Sequence, residues 1–197
     1  MNASRFMTPI LNRIFIIIFW LPVYFYVQTR YSIFYAFGLL SGIFLLKKVK
    51  VKGVGCRFHG DGRITNFERL ELGNYVHVGE NFYFFTRGRI SIGDGTVLSR
   101  NVSIYSANHK YDGEQIPYGH DYVERAVHIG RGVWVGMNVN ILPGVTIGDG
   151  AVIGMGATVA SDVGPGVVYV GAKCRSINQR DIKRVERLVS NGVFYGK

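Results

Sequence analysis

A chain of 197 residues, 48% of them hydrophobic, can bury one sizeable core and still carry an appendage. Its two cysteines, Cys56 and Cys174, have no CxxC or Cys/His spacing, which argues against a zinc site or a disulfide framework and for a reducing compartment. The formal charge of +10 is uneven, since no Asp or Glu precedes Asp61 while Arg5, Arg13, Arg30, Lys47, Lys48, Lys50, Lys52 and Arg57 do; basic charge beside apolar runs, not on a polar groove, speaks against nucleic-acid binding.

Residues 1–52 form the first unit. Ile14 to Val27 and Ile33 to Leu46 are apolar runs separated by Gln28-Thr29-Arg30-Tyr31-Ser32. As helices each is about 21 Å long at 1.5 Å per residue, short of the roughly 30 Å hydrocarbon core. Trp20, Tyr24, Tyr26, Tyr31 and Tyr35, with the basic cluster at Lys47 to Lys52, suit a headgroup region. The expectation is a helical hairpin in or on the cytoplasmic face of the cell membrane, kinked at Pro22. The alternative is a helical cap on the first coil or on a neighbouring subunit. A cleaved signal peptide is disfavoured, because Gln28-Thr29-Arg30 supplies no small-residue cleavage site.

Residues 53–175 carry a repeat. Lines beginning at Leu70, Ile90, Val127 and Val145 each set two apolar residues two apart before a glycine. The strictest stretch is Ile129, Val135, Ile141, Ile147, Ile153 and Val159, with Gly130, Gly136, Gly148 and Gly154 following four of them. A six-residue period fits neither an amphipathic helix nor a meander. It fits very short strands joined by corners, three to a coil of about 18 residues, stacked as a parallel β-helix. Gly93-Asp94-Gly95 and Gly148-Asp149-Gly150 are read as corners needing positive φ. Between Val51 and Arg89 the period is looser: Phe58, Ile64 and Leu70, then Leu72, Val78 and Phe84, keep it with a slip of two residues, so the first coils are expected to be irregular. His59 and His77 lie here and are read as solvent-facing or packed, because no second histidine sits at a metal-binding offset.

Between Ile104 and Val127 the period stops at a polar excursion, about residues 107–125, that supplies His109, His120, Asp112, Asp121, Glu114, Glu124 and Asn108. Long insertions at a solenoid corner are usually functional, so chemistry is sought here. His120, beside Asp121, rivals His109 as a base. His128 alternates with Val127 and Ile129 and is expected to point outward. Residues 176–197 follow, where Ile177, Ile182, Val185 and Val189 recur near helical spacing before Asn191-Gly192; a helix capping the open end of the solenoid is expected.

From Leu70 to Ile177 the chain resembles the hexapeptide-repeat acetyltransferases, in particular the sugar O-acetyltransferases that modify galactosides, maltose and bacterial capsule or O-antigen sugars. The likeness rests on Trp134, Gly136, Pro143-Gly144-Val145 and Gly154, and on the NHKYD run around His109 followed by Pro117. It implies a left-handed β-helix assembled as a homotrimer, with acetyl-CoA as co-substrate, no metal, and direct transfer to a hydroxyl. His109 is by match the general base, in a residue type that accepts a proton near neutral pH. Trp134, Gly136, Met155, Gly156 and Arg175 match the coenzyme wall, although Met155 stands where the family usually has Ala. Asn81, Asn108 and Asp112 are candidates for the acceptor. The acceptor implied is a hydroxyl of a bacterial surface-polysaccharide sugar, lipid-linked or free. The rival readings are transfer to a small soluble acceptor such as an antibiotic or serine, a zinc hydratase resembling the γ-class carbonic anhydrases, whose histidine spacing is missing here, and a non-catalytic scaffold.

Overall fold

The alternation of inward aliphatic residues closes into a three-sided coil. A computed structural model describes residues 21–171 together with Asp181, Lys183, Arg184, Arg187 and Asn191. After helix α1 (Leu21–Lys48), the first coil is β1 (Val51–Lys52), β2 (Arg57–Phe58) and β3 (Gly62–Ile64); the second is β4 (Leu70–Leu72), β5 (His77–Val78) and β6 (Phe82–Phe85); the third is β7 (Ile90–Ile92), β8 (Val97–Leu98) and β9 (Ser103–Tyr105). An excursion of β10 (Ala107–His109) and β11 (Tyr122–Glu124) intervenes. The fourth coil is β12 (Val127–Ile129), β13 (Trp134–Val135) and β14 (Asn140–Ile141), the fifth β15 (Thr146–Ile147), β16 (Val152–Ile153) and β17 (Thr158–Val159), and β18 (Val168–Tyr169) belongs to a sixth. Each strand pairs in parallel with its counterpart one coil on, giving a first sheet β1-β4-β7-β12-β15, a second β2-β5-β8-β13-β16-β18 and a third β3-β6-β9-β14-β17.

The core is the inside of this prism. Ile129, Val135, Ile141, Ile147, Ile153 and Val159 are all buried, as the period requires. The first coils hold larger fillers: Phe58 meets Phe82 edge-on at 5.0 Å and Phe82 lies 4.8 Å from Phe84. The reason is coil size. Leu70 pairs with Ile90, twenty residues on, whereas His128 pairs with Thr146, eighteen on. A longer coil encloses more space, and phenyl rings fill it. The early coils are therefore regular but wider, and the two-residue slip is confined to one corner.

The paired glycines do different work. Gly95 and Gly150 have φ of +66° and +68°, as corners demand. Gly93 and Gly148 do not; a Cβ on Gly148 would sit 2.5 Å from the Pro165 nitrogen, and one on Gly93 would sit 2.7 Å from the Gly130 carbonyl carbon. These two are small because the next coil's backbone stacks against them. Asp94 and Asp149 complete the corners by accepting from the Asn74 and Arg131 main-chain N–H groups at 2.7 and 2.8 Å. Gly150→Ala is expected to cost about 1 kcal/mol, the strain of a left-handed residue, since nothing lies within 4 Å of its Cβ. Gly148→Ala is expected to cost more, because a backbone must move; paired urea titrations of the two variants check the order.

The expected hairpin is one continuous helix within the described residues. Gln28 to Ser32 contains neither glycine nor proline, and two of its polar side chains bond along the helix: the Thr29 hydroxyl donates to the Phe25 carbonyl at 2.9 Å and Arg30 donates to the Tyr26 hydroxyl at 3.2 Å. Its 28 residues extend about 42 Å, long enough to cross a bilayer by length and composition. Pro22 is its second residue, so a kink there falls partly outside the described residues. The carboxy-terminal part docks on the first coil, where Gly42 is buried and a Cβ on it would lie 2.6 Å from the Phe58 carbonyl oxygen. Leu45, Leu46 and buried Val49 close that end of the core. The carboxy-terminal part of this helix is thus a cap on the first coil, and the rest of it is exposed.

Candidate functional site

Extra residues collect at one corner of the prism. The turn from the third sheet back to the first takes six positions from Ile64 to Leu70 and from Phe84 to Ile90, against four from Ile141 to Val145. In the third coil the same turn becomes the whole excursion. Three successive coils therefore widen at the same place and stack into a ledge. Two buried hydroxyls lock it: the Thr86 hydroxyl accepts from the Asn66 N–H at 2.7 Å and donates to the Asn66 carbonyl at 2.8 Å. Ser106 donates to the Phe85 carbonyl at 2.8 Å. Such fully satisfied buried groups hold the ledge to one shape.

On this ledge β10 and β11 run antiparallel, placing His109 opposite Tyr122, Asn108 opposite Val123 and Ala107 opposite Glu124. Buried Ile116 anchors the middle of the excursion. The His109 ring lies 3.9 Å from the Tyr118 ring at an interplanar angle of 23°, and 4.0 Å from Tyr122 at 38°. Two rings so close cannot share a face, so the imidazole is sandwiched between the tyrosines. Its Nδ1 is 3.2 Å from the Gly119 carbonyl oxygen. A carbonyl only accepts, so in the neutral ring the proton belongs on Nδ1 and the lone pair on Nε2. Ring plane, tautomer and orientation are all set by neighbours, which is the preparation a general base requires.

The other residues of the excursion are arranged differently. His120, Asp112 and Asn108 are exposed. Arg184 donates to the Gly113 carbonyl and, at 2.8 Å, to Glu114, so the described carboxy-terminal residues bear on the excursion; the remainder of the expected capping helix, and Arg175, lie outside the described residues. Asn81 is at another corner, before β6, with φ of +54°. Its amide donates to Asn101 at 2.7 Å and Asn101 donates to Asn138 at 2.8 Å. The structure thus gives Asn81 to a corner ladder and does not bring it to His109. The residues that flank the histidine, Tyr118 and Tyr122, and those behind Tyr122, Phe85 and Arg87, carry no spacing motif; two tyrosines flanking Gly119-His120-Asp121 were the available signal.

Trp134, Gly136 and Met155 are brought together. They line a cleft of about 670 Å³ on the outer face of the second sheet, closed on one side by Tyr35 of α1. Trp134 is 57% and Met155 65% exposed. Gly136 is small for a packing reason as well, since a Cβ there would lie 2.7 Å from the Met155 nitrogen. Gly156 is a corner residue at φ +73°. His59, which also lines the cleft, shares a hydrogen bond of 3.1 Å with His77 on the next coil, whose register partner is Arg57. Burial, then His59 and Arg57, lowers the His77 pKa, so this ring favours its neutral form. His128 points outward as expected and bonds Ser91 at 2.8 Å.

Comparison with known proteins agrees with this geometry. Residues 126–161 match the family described as bacterial transferase hexapeptide (six repeats), the repeat of left-handed parallel β-helices. The chain is similar to a maltose O-acetyltransferase from Clostridium difficile 630, at 33% identity over 67% of this chain and 68% of that one, with a TM-score of 0.55. It is 37% identical over 87 residues to Nodulation protein L of Rhizobium leguminosarum bv. viciae, a match spanning 44% of this chain and only 45% of that curated relative. A hexapeptide-repeat-containing acetyltransferase of Vibrio cholerae, solved with acetyl coenzyme A, shares the fold at 24% identity over 64% of this chain and 73% of that one, with a TM-score of 0.51. Coil, excursion and these relatives together place the chain in the hexapeptide-repeat acetyltransferase family.

Proposed function

We propose that this protein is an acetyl-CoA-dependent O-acetyltransferase whose acceptor is a sugar hydroxyl of a bacterial surface polysaccharide. The observation that carries the reading is the clamped imidazole of His109, whose lone pair is directed to Nε2 by the Nδ1 contact with the Gly119 carbonyl. In the proposed reaction Nε2 takes the proton of the acceptor hydroxyl while that oxygen attacks the thioester carbonyl carbon. The carbon–sulfur bond then breaks, and the imidazolium returns the proton to the departing sulfur, with no acyl-enzyme. Such base catalysis contributes about 10²- to 10⁴-fold, and holding the reactants together supplies much of the remainder.

The coenzyme wall and the base point to a homotrimer. Trp134 and Met155 stand on the outer face of the second sheet, whereas His109 rises from the corner between the third and first sheets, across the prism. In the proposed trimer the base of one copy serves the wall of its neighbour. The outward stripe Val97, Trp134 and Val168, each more than 40% exposed, supports a face buried between protomers. The apolar, exposed part of α1, with Tyr31 72% and Phe37 66% exposed, supports immersion in the inner face of the cell membrane, where a lipid-linked sugar would be met. The test is acetyl transfer by the full-length protein in lipid or detergent, with free and lipid-linked saccharides. Acceptor-dependent release of coenzyme A thiol is the expected result; no release with any saccharide, together with no binding of coenzyme A, overturns the reading.

A further inference from the structure

We infer that the acceptor carries an anionic group, phosphate or carboxylate, on or next to the acetylated sugar, and that Arg69 and Arg87 bind it. This rests on His109 acting on that acceptor. The pocket is on the widened ledge itself, about 320 Å³ in volume and lined by Thr65, Asn66, Arg69, Phe85, Arg87 and Glu124, at the small end of the range for ligand sites. Its two guanidinium groups come from successive coils and converge on one carboxylate: Arg69 meets Glu124 at 2.7 Å and Arg87 meets it at 3.4 Å. Two cations sharing one anion leave a net positive charge, in the planar fork geometry suited to phosphate or carboxylate.

The position relative to the base is what turns an ion-pair cluster into a subsite. Arg87 lies 4.0 Å from the centre of the Tyr122 ring, and His109 lies 4.0 Å from the same centre. Both groups contact the same ring, so the guanidinium is at most about 8 Å from the imidazole. That is the scale of one sugar ring with its substituents. Half-buried Phe85, 5.8 Å from Tyr122, adds an apolar floor beside the charges. Glu124 acts as an internal stand-in: it neutralises part of the pocket until an anionic acceptor competes for the same two arginines. A ledge widened in two consecutive coils and extended in the third gives the space, and Arg69, Arg87 and Glu124 stand outside the core cluster.

The test compares glucose, glucuronate and glucose 1-phosphate as acceptors for the full-length wild-type protein, Arg87→Gln, Arg69→Gln and Glu124→Gln. The wild type is expected to favour an anionic acceptor over glucose by about tenfold or more in kcat/KM, the worth of a charge-assisted hydrogen bond. Either arginine variant should collapse that ratio toward one through KM, and Arg69, which bonds Glu124 and the Arg87 carbonyl, is the second variant against a mere disturbance of the His109 stack through Tyr122. Glu124→Gln should lower KM for the anionic acceptor. Which of the two anions gains more identifies the source of the charge. A ratio near one in the wild type, or a ratio unmoved in both arginine variants, overturns the subsite while leaving acetyl transfer standing. If no acceptor is acetylated, transfer itself fails, and calorimetric titration of glucose 1-phosphate decides the subsite: binding lost in Arg69→Gln and Arg87→Gln supports it, and no binding by the wild type overturns it.

Discussion

His109→Ala is expected to lower acetyl transfer by about 10²- to 10⁴-fold, mostly in kcat, with the coil intact. The ring makes no contribution to the core; it stacks between Tyr118 and Tyr122 on the ledge, so its removal vacates a surface slot and leaves the sheets alone. Residual turnover would reflect the positioning of the two substrates, which survives loss of the base. The matching control is His120→Ala, on the exposed rim of the excursion, which should retain most of the wild-type rate. Steady-state kinetics of both variants, with circular dichroism to verify the coil, make the comparison. If His109→Ala keeps more than a tenth of the wild-type kcat, the base is another group, and His120 becomes the first candidate.

Phe84→Ala is expected to carry the largest stability cost, about 3–5 kcal/mol. Phe84 is fully buried, packs against Phe82 at 4.8 Å, and fills one of the wide early coils. Neighbouring coils cannot collapse into the gap without shortening the ledge turn beside it, so the cavity term is felt nearly in full. Because a solenoid is held by nearest-neighbour contacts, the loss should be local. Hydrogen exchange should show protection falling across the first three coils, between about residues 50 and 106, before it falls across β12 to β17. Uniform loss through all coils would mean that the stack unfolds as one unit. The site should suffer as well, since Phe85 and Arg87 follow Phe84 on the same strand and turn.

The six-residue period and the place where it stops were legible in the chain itself. A repeat of two inward aliphatic residues is a local rule: every coil must bury its own side chains, so Ile129 through Val159 declare the prism without knowledge of anything distant. The excursion was equally plain, because a polar run between Ile104 and Val127 does not line a core; it offered both His109 and His120, and the family resemblance favoured His109. What the tertiary structure decided was adjacency across coils. Arg69, Arg87 and Glu124 converge because the corner turn is two residues wider in two coils and much longer in the third; outward-facing side chains obey no burial pattern, so nothing in their spacing announced the meeting. The same stacking joins His59 to His77 and takes Asn81 into a corner ladder. The helix is the complementary case: Gln28 to Ser32 reads as an interruption by polarity, yet an exposed helix tolerates polar residues wherever the backbone bonds continue, and only packing of Gly42 on the first coil fixes which end is held and which projects.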